Sequence, residues 1–144
     1  MEIRSPKTDD EWRIYYELRY RILREPLGQP EGSERNEGDL DGIHIALFEN
    51  NQIAAIARLD KADEGYTGQV RFVAVGNKYQ GNGYGREIMD HAEIISKNRG
   101  DLKMVLQARE NSVDFYISLG YRLIKKTHLL FDQVQHFLMV KEYN

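Results

Sequence analysis

Glycines 81, 83 and 85 stand at alternate positions between a run of strand formers, residues 69–75, and a stretch whose apolar residues Ile88/Met89, Ala92 and Ile95 recur with a helical period. Closely spaced glycines at a strand-to-helix junction let the backbone turn several N–H groups onto one anion, and the helix N-terminus adds unpaired donors of its own. The segment therefore predicts a layered α/β domain with an anion cradle where the strand ends. An ATPase-type loop would need Gly-Lys-Ser/Thr at the helix start, where Gly83-Tyr84-Gly85-Arg86 stands instead. A dinucleotide fingerprint would place its glycines directly after the strand and end in Gly or Ala at position 86, but five residues separate Val75 from Gly81 and Arg86 takes the last place.

The rest of the chain supplies elements on both sides of this junction. Thr8-Asp9-Asp10-Glu11 forms a capping-box pattern ahead of Ile14/Tyr15, Leu18 and Ile22, predicting a helix over residues 9–24. Pro26, Gly28, Pro30 and Gly32 end it and open an irregular stretch that lasts to Ile43. Residues 43–48 and 53–59 read as a hairpin closed by Glu49-Asn50-Asn51-Gln52, because Asn tolerates the positive φ of a tight turn. After the second helix, which Gly100 terminates, residues 103–108 predict a strand parallel to the one ending at Val75. Asn111 is placed to cap a helix over 112–119, stopped by Gly120, and residues 121–126 and 137–140 predict a closing antiparallel pair with Asp132-Gln133 near its turn. The order α, β-β-β-α-β-α-β-β predicts one mixed domain over residues 1–144.

Composition narrows the function classes. The 144 residues suffice for a self-sufficient core, and 41% hydrophobic with 30% charged residues argues against disorder. No apolar run exceeds five residues, against roughly 20 for a membrane helix. The chain has no Cys, which removes thiolate chemistry and disulfides and, with an N-terminus unlike a signal peptide, leads us to expect a cytoplasmic protein. No His/Asp/Glu cluster has metal spacing, so no metal is expected. The net charge is −3, and residues 31–41 hold five carboxylates against Arg35, with no basic stripe for nucleic acid anywhere.

Gln80, Gly83 and Gly85 together resemble the acyl-CoA-binding motif of the GNAT superfamily of N-acetyltransferases, Gln/Arg-x-x-Gly-x-Gly/Ala. The resemblance continues through Asn111, Phe115-Tyr116 and Leu119-Gly120-Tyr121 and covers residues 69–126. It implies a mostly antiparallel sheet with flanking helices and a central parallel strand pair that splays at the cofactor site. It implies acetyl-CoA as cosubstrate, with its pyrophosphate on the loop amides of Gln80, Gly81, Asn82, Gly83, Tyr84, Gly85 and Arg86. Its pantetheine arm is then expected along Phe72, Val73, Ala74 and Val75, with Asn111 as a further contact. Tyr116 matches the family's general acid. The acceptor is expected to be a primary amine of a small molecule or peptide, and a homodimer through the last strands is allowed.

The base is left open. Some members carry a Glu near the position of Gln69, whose amide cannot take a proton, so His44 or a water path to solvent are the alternatives considered, while His91, His128 and His136 are assigned no chemistry. If residues 34–41 folded over the acetyl end of the cleft, their negative potential would favour cationic acceptors. The rival reading is a non-catalytic CoA-binding or sensing module that kept the loop and lost the chemistry.

Overall fold

The computed structural model describes residues 1–144. Seven strands form one sheet in the order β1-β2-β3-β4-β5-β7-β6. They are β1 (Glu2–Arg4), β2 (Ile43–Glu49), β3 (Gln52–Lys61), β4 (Thr67–Val75), β5 (Lys103–Arg109), β6 (Arg122–Leu130) and β7 (Val134–Glu142). Every neighbouring pair is antiparallel except β4 and β5, which a crossover through a helix makes parallel. Helix α1 (Asp9–Leu23) lies on one face of the sheet; α2 (Tyr84–Asn98) and the short α3 (Val113–Ser118) lie on the other.

Local chemistry accounts for the main boundaries. Thr8 accepts from the Glu11 N–H while the Glu11 side chain returns to the Thr8 N–H, the reciprocal cap expected of this tetrad. Asn50 and Asn51 take φ of 52° and 64° and close the β2–β3 hairpin as a tight turn. Gly100 and Gly120, at φ of 99° and 98°, stop α2 and α3. The core has two layers. Ile45, Leu47, Leu59, Ile88, Met89, Met104, Leu106 and Met139 fill the side under α2 and α3, and Tyr15, Phe48, Ile56 and Ala74 pack with Leu23 under α1.

Three expectations need correction. Strand β1 went unread because three residues, two of them charged, carry no pattern; Arg4 fixes it with two hydrogen bonds to Glu11 and its guanidinium 4.0 Å over the Phe48 ring. Asn111 does not cap α3, since residues 110–112 form a 3₁₀ turn, α3 begins only at Val113, and no side chain caps it. The last two strands extend to the turn, pairing as far as Leu130 with Val134. Strand β7 is enclosed by β5 and β6, so residues 137–140 serve the sheet interior and the free edge belongs to β6.

Candidate functional site

The site begins with a failure of pairing. Strands β4 and β5 are in register only at Thr67 with Lys103, Gly68 with Met104 and Gln69 with Val105; beyond Gln69 they part. On its other edge β4 carries a bulge, for Ile56 faces Ala74 while Arg58 faces Arg71, and Phe72 within it has a φ of 55°. A bulge steepens the local twist and turns a strand away from its neighbour. The backbone groups of β4 from Phe72 to Val75 that face β5 are left without a strand partner, and a cleft of about 950 Å³ opens there.

The glycine loop closes one end of that cleft. Residues 77–79 form a 3₁₀ turn, Gln80 is extended, Gly81 and Gly83 have φ of 82° and 80°, and α2 starts at Tyr84. The first backbone bond of α2 runs from Glu87 N–H to Gly83 O at 3.1 Å, so the N–H groups of Tyr84, Gly85 and Arg86 have no partner in the helix. A Cβ built on Gly81 or Gly83 meets nothing within 4 Å. The loop thus offers donors and open space together, which suits a diphosphate. Gly85 has another function: a Cβ there would stand 3.1 Å from the Phe115 ring, so its smallness lets α2 approach α3.

The predicted cofactor residues converge on this cleft, with distinctions the motif did not contain. All of them line it except Asn82, whose side-chain amide donates to the Tyr79 carbonyl at 3.0 Å and braces the loop from within. The Gln80 amide likewise donates to Val75 O at 3.2 Å. The Tyr84 phenol leaves toward Glu49, 2.9 Å away, and that hydrogen bond, followed by burial, raises its pKa. Asn111 lines the cleft without capping a helix. Tyr116 packs edge-on to Phe115 and Tyr121. Its hydroxyl opens into the cleft with no protein partner, and burial pushes its pKa well up, Arg109 opposing only slightly.

Two of the other expectations do not survive. His44 is 8% exposed and lies beneath α1, not in the cleft. Its Nε2 stands 2.9 Å from the Asp39 carbonyl and must donate, which leaves Nδ1 to accept from the Tyr15 hydroxyl at 2.8 Å. With both nitrogens committed, it is no base. The acidic stretch reaches the cleft wall through Asn36, but its two inward carboxylates, Glu34 and Asp39, are committed elsewhere. Arg19 and Arg58 share one Asp39 oxygen at 2.8 and 2.7 Å, Arg58 also takes Asp60 in a two-pronged pair, and the Glu34 carboxylate binds the Gly32 N–H. No Asp or Glu lines the cleft at all.

Five side chains in the cleft do what the sequence did not assign to them. Phe72 was expected to act through its backbone alone, yet its ring lies under the guanidinium groups of Arg19 at 4.2 Å, Arg58 at 5.0 Å and Arg24 at 5.6 Å. Arg24 and Arg109 both donate to the Leu23 carbonyl, at 3.1 and 2.7 Å. His136 faces Arg109 across the β5–β7 ladder. Its Nδ1 lies 3.0 Å from the Val134 carbonyl, which can only accept, so the ring proton sits there and the Nε2 lone pair is left free toward the cleft. His128 stacks on it with ring centres 4.4 Å apart. Burial lowers the His136 pKa, the hydrogen bond to the Val134 carbonyl opposes it, and His128, Arg109 and Arg24 lower it further, for a net shift downward. Alternation along residues 103–109 could have set Arg109 opposite the apolar Met104, Leu106 and Ala108; nothing in the sequence pairs it with His136.

Comparison with known proteins places this geometry in a class. Residues 8–121 match the model of the Acetyltransferase (GNAT) family, and the chain belongs to that family. It is 28% identical to a Bacillus subtilis (strain 168) protein described as a candidate acetyltransferase, over 99% of this chain and 97% of that one. An acyl-CoA N-acyltransferase from Pseudomonas aeruginosa superposes with a TM-score of 0.81 at 20% identity, covering 97% of each chain. An aminoglycoside 6'-N-acetyltransferase solved with coenzyme A superposes with a TM-score of 0.83 at 14% identity, covering 99% of this chain and 97% of that one. No helix is long and apolar enough to cross a membrane.

Proposed function

We propose that this chain transfers the acetyl group of acetyl-CoA to a primary amine by direct attack, without an acyl-enzyme. The observation that carries the reading is the meeting, in one cleft, of the open glycine cradle, the unpaired edge of β4 and the free hydroxyl of Tyr116. The N–H groups from Gly81 to Arg86 hold the diphosphate, and the free main-chain groups of Phe72 to Val75 take the amide-bearing arm as an added strand. One β4 N–H then faces the thioester oxygen and stabilises the charge that develops on it. Acetyl-CoA supplies the activated acyl group, and the chain supplies position and protons.

His136 is the base of this proposal. Its free Nε2 takes the proton shed by the amine as the N–C bond forms, a role that the Gln69 amide cannot fill. Tyr116 gives its hydroxyl proton to the sulfur as the C–S bond breaks, so both protons are accounted for and the enzyme returns to its starting state through solvent exchange. Burial raises the pKa of this phenol, and the same dry surroundings raise that of the departing thiol, so the donor and its acceptor shift in the same direction.

The test is thiol release from acetyl-CoA across an amine panel, with CoA affinity measured separately by calorimetry. Release that depends on an amine is expected. Tight CoA binding with no release from any amine would make the chain a CoA-binding module, and absence of CoA binding would overturn the reading entirely.

A further inference from the structure

Arg24 and Arg109 present an arrangement that the fold alone does not require. Two guanidinium groups, from the end of α1 and the end of β5, converge on the single carbonyl oxygen of Leu23. Apart from that contact Arg24 donates only to the Ser33 carbonyl, so no carboxylate neutralises either cation. Glu34, which acts on Arg24 from nearby, has its own carboxylate committed to Gly32 N–H and Arg35. Both side chains are half-buried, so their like charges repel with less screening than in open water, and a counter-charge would complete the site. His128 and His136 add two more nitrogen donors or acceptors on the same wall.

The cradle for the CoA phosphates is elsewhere. Arg24 lies over the ring of Phe72, three residues before β4 ends, and a strand advances about 3.3 Å per residue, so this cluster stands about 10 Å up the strand from Val75, the residue that Gln80 and Gly85 of the loop adjoin. The tip of the β6–β7 hairpin closes over it: Gln133 donates to the Leu27 carbonyl at 3.0 Å, and Phe131 lies 5.4 Å from the Arg24 guanidinium. What remains is a confined end of the cleft, beside the Phe72 bulge, with paired cations and no acid.

We propose that the acceptor amine also carries an oxyanion, a carboxylate or a phosphate monoester, and that Arg24 and Arg109 hold this group at the α1 end of the cleft. The inference rests on the acetyl-transfer reading for the amine and adds the chemistry of its other end. Planar guanidinium groups suit either oxyanion, because each presents paired N–H donors.

The experiment offers each amine with and without its oxyanion: L-amino acids against their amides, and glucosamine 6-phosphate against glucosamine, with spermidine as the cationic control. The oxyanion-bearing member of at least one pair is expected to show a kcat/KM about 10- to 100-fold higher than its neutral partner, and the pair that shows it tells carboxylate from phosphate. Arg24→Gln and Arg109→Gln should raise KM for that acceptor, Arg109→Lys should restore part of the loss, and CoA affinity serves as the check that each variant is folded. A second readout needs no turnover: titration of the CoA-loaded protein with the N-acetyl product against its neutral counterpart. Oxyanion-selective binding with no thiol release would uphold the oxyanion site at Arg24 and Arg109 but refute acetyl transfer and, with it, the acceptor as its occupant. Preference for spermidine or for the neutral amines, or an equal loss on every acceptor in both variants, would refute the inference and leave acetyl transfer standing.

Discussion

The acid role proposed for Tyr116 rests on surroundings that favour the neutral phenol. Burial raises its pKa, its hydroxyl has no protein partner to lose, and the ring is held edge-on between Phe115 and Tyr121. Tyr116→Phe should therefore leave the fold and CoA affinity intact and lower kcat by about 100-fold, the scale of a lost general acid. An unchanged kcat in single-turnover measurements would remove the residue from the mechanism. His136 makes the complementary prediction on the pH axis. Its pKa is lowered below the ordinary 6.5, first by burial, so the free lone pair persists into mildly acid solution and is lost only as pH falls through the lowered value. The acid limb of kcat/KM should lie below pH 6.5 and vanish in His136→Gln, whose residual rate is flat there; an identical limb in the variant would assign the proton elsewhere. At Gly83 the backbone itself is the functional group. Asp at that φ of 80° is strained, but its side chain meets no protein atom and its charge enters the cradle proposed for the diphosphate. Gly83→Asp should fold, by circular dichroism, and bind CoA at least ~100-fold more weakly, two decades being about 2.7 kcal/mol of repulsion and lost contact.

At the scale of elements, what was legible followed periodicity and punctuation. The capping tetrad at Thr8, the paired asparagines at 50 and 51 and the glycines at 100 and 120 each mark a boundary because their own chemistry decides it locally. Strand β1 escaped notice for the opposite reason: Glu2–Arg4 is held by partners on β2 and α1, not by any pattern of its own. The glycine loop was legible because its spacing is unusual and Tyr116 only through the family resemblance, whereas Arg24, Arg109 and His136 come from three distant parts of the chain and meet only after β7 inserts between β5 and β6. The splay of β4 from β5 was expected from resemblance, never from the residues. Val, Phe and Ala at 72–75 would suit a continuous ladder equally well, and only the bulge opposite Ala57, with Phe72 at positive φ, shows why pairing ends at Gln69. Such a φ costs a bulky residue on the order of 1–3 kcal/mol, and the three guanidinium groups stacked on the ring help to hold it there.

For the molecule as a whole, the acidic segment after α1 acts as a clasp. Asp39 joins Arg19 of α1 to Arg58 of β3, and the Arg19 guanidinium continues to the Tyr15 hydroxyl, which leads on to His44 of β2. One carboxylate therefore ties the helix, the loop and the sheet together directly over Phe72. Burial raises the Asp39 pKa, but the hydrogen bonds from Arg19 and Arg58 outweigh it and the net shift is downward. A carboxyl lowered in the folded state contributes stability that is complete above its unfolded pKa of about 3.9 and is lost as pH falls through the folded value. Asp39→Asn removes the charge at every pH and leaves Arg19, which is fully buried, without a counter-ion, while Arg58 keeps Asp60. By the usual cost of breaking a buried pair, the variant should lose about 3–5 kcal/mol at pH 7 in urea unfolding, and the loss should shrink toward pH 3 as the wild-type carboxylate itself protonates. A variant within about 0.5 kcal/mol of the wild type at pH 7 would mean that packing around Phe72 and Tyr15 holds the loop without the ion pair. Because the clasp sits on the bulge, its loss should also raise the acceptor KM more than that for acetyl-CoA, whose diphosphate we assign to the loop at the start of α2.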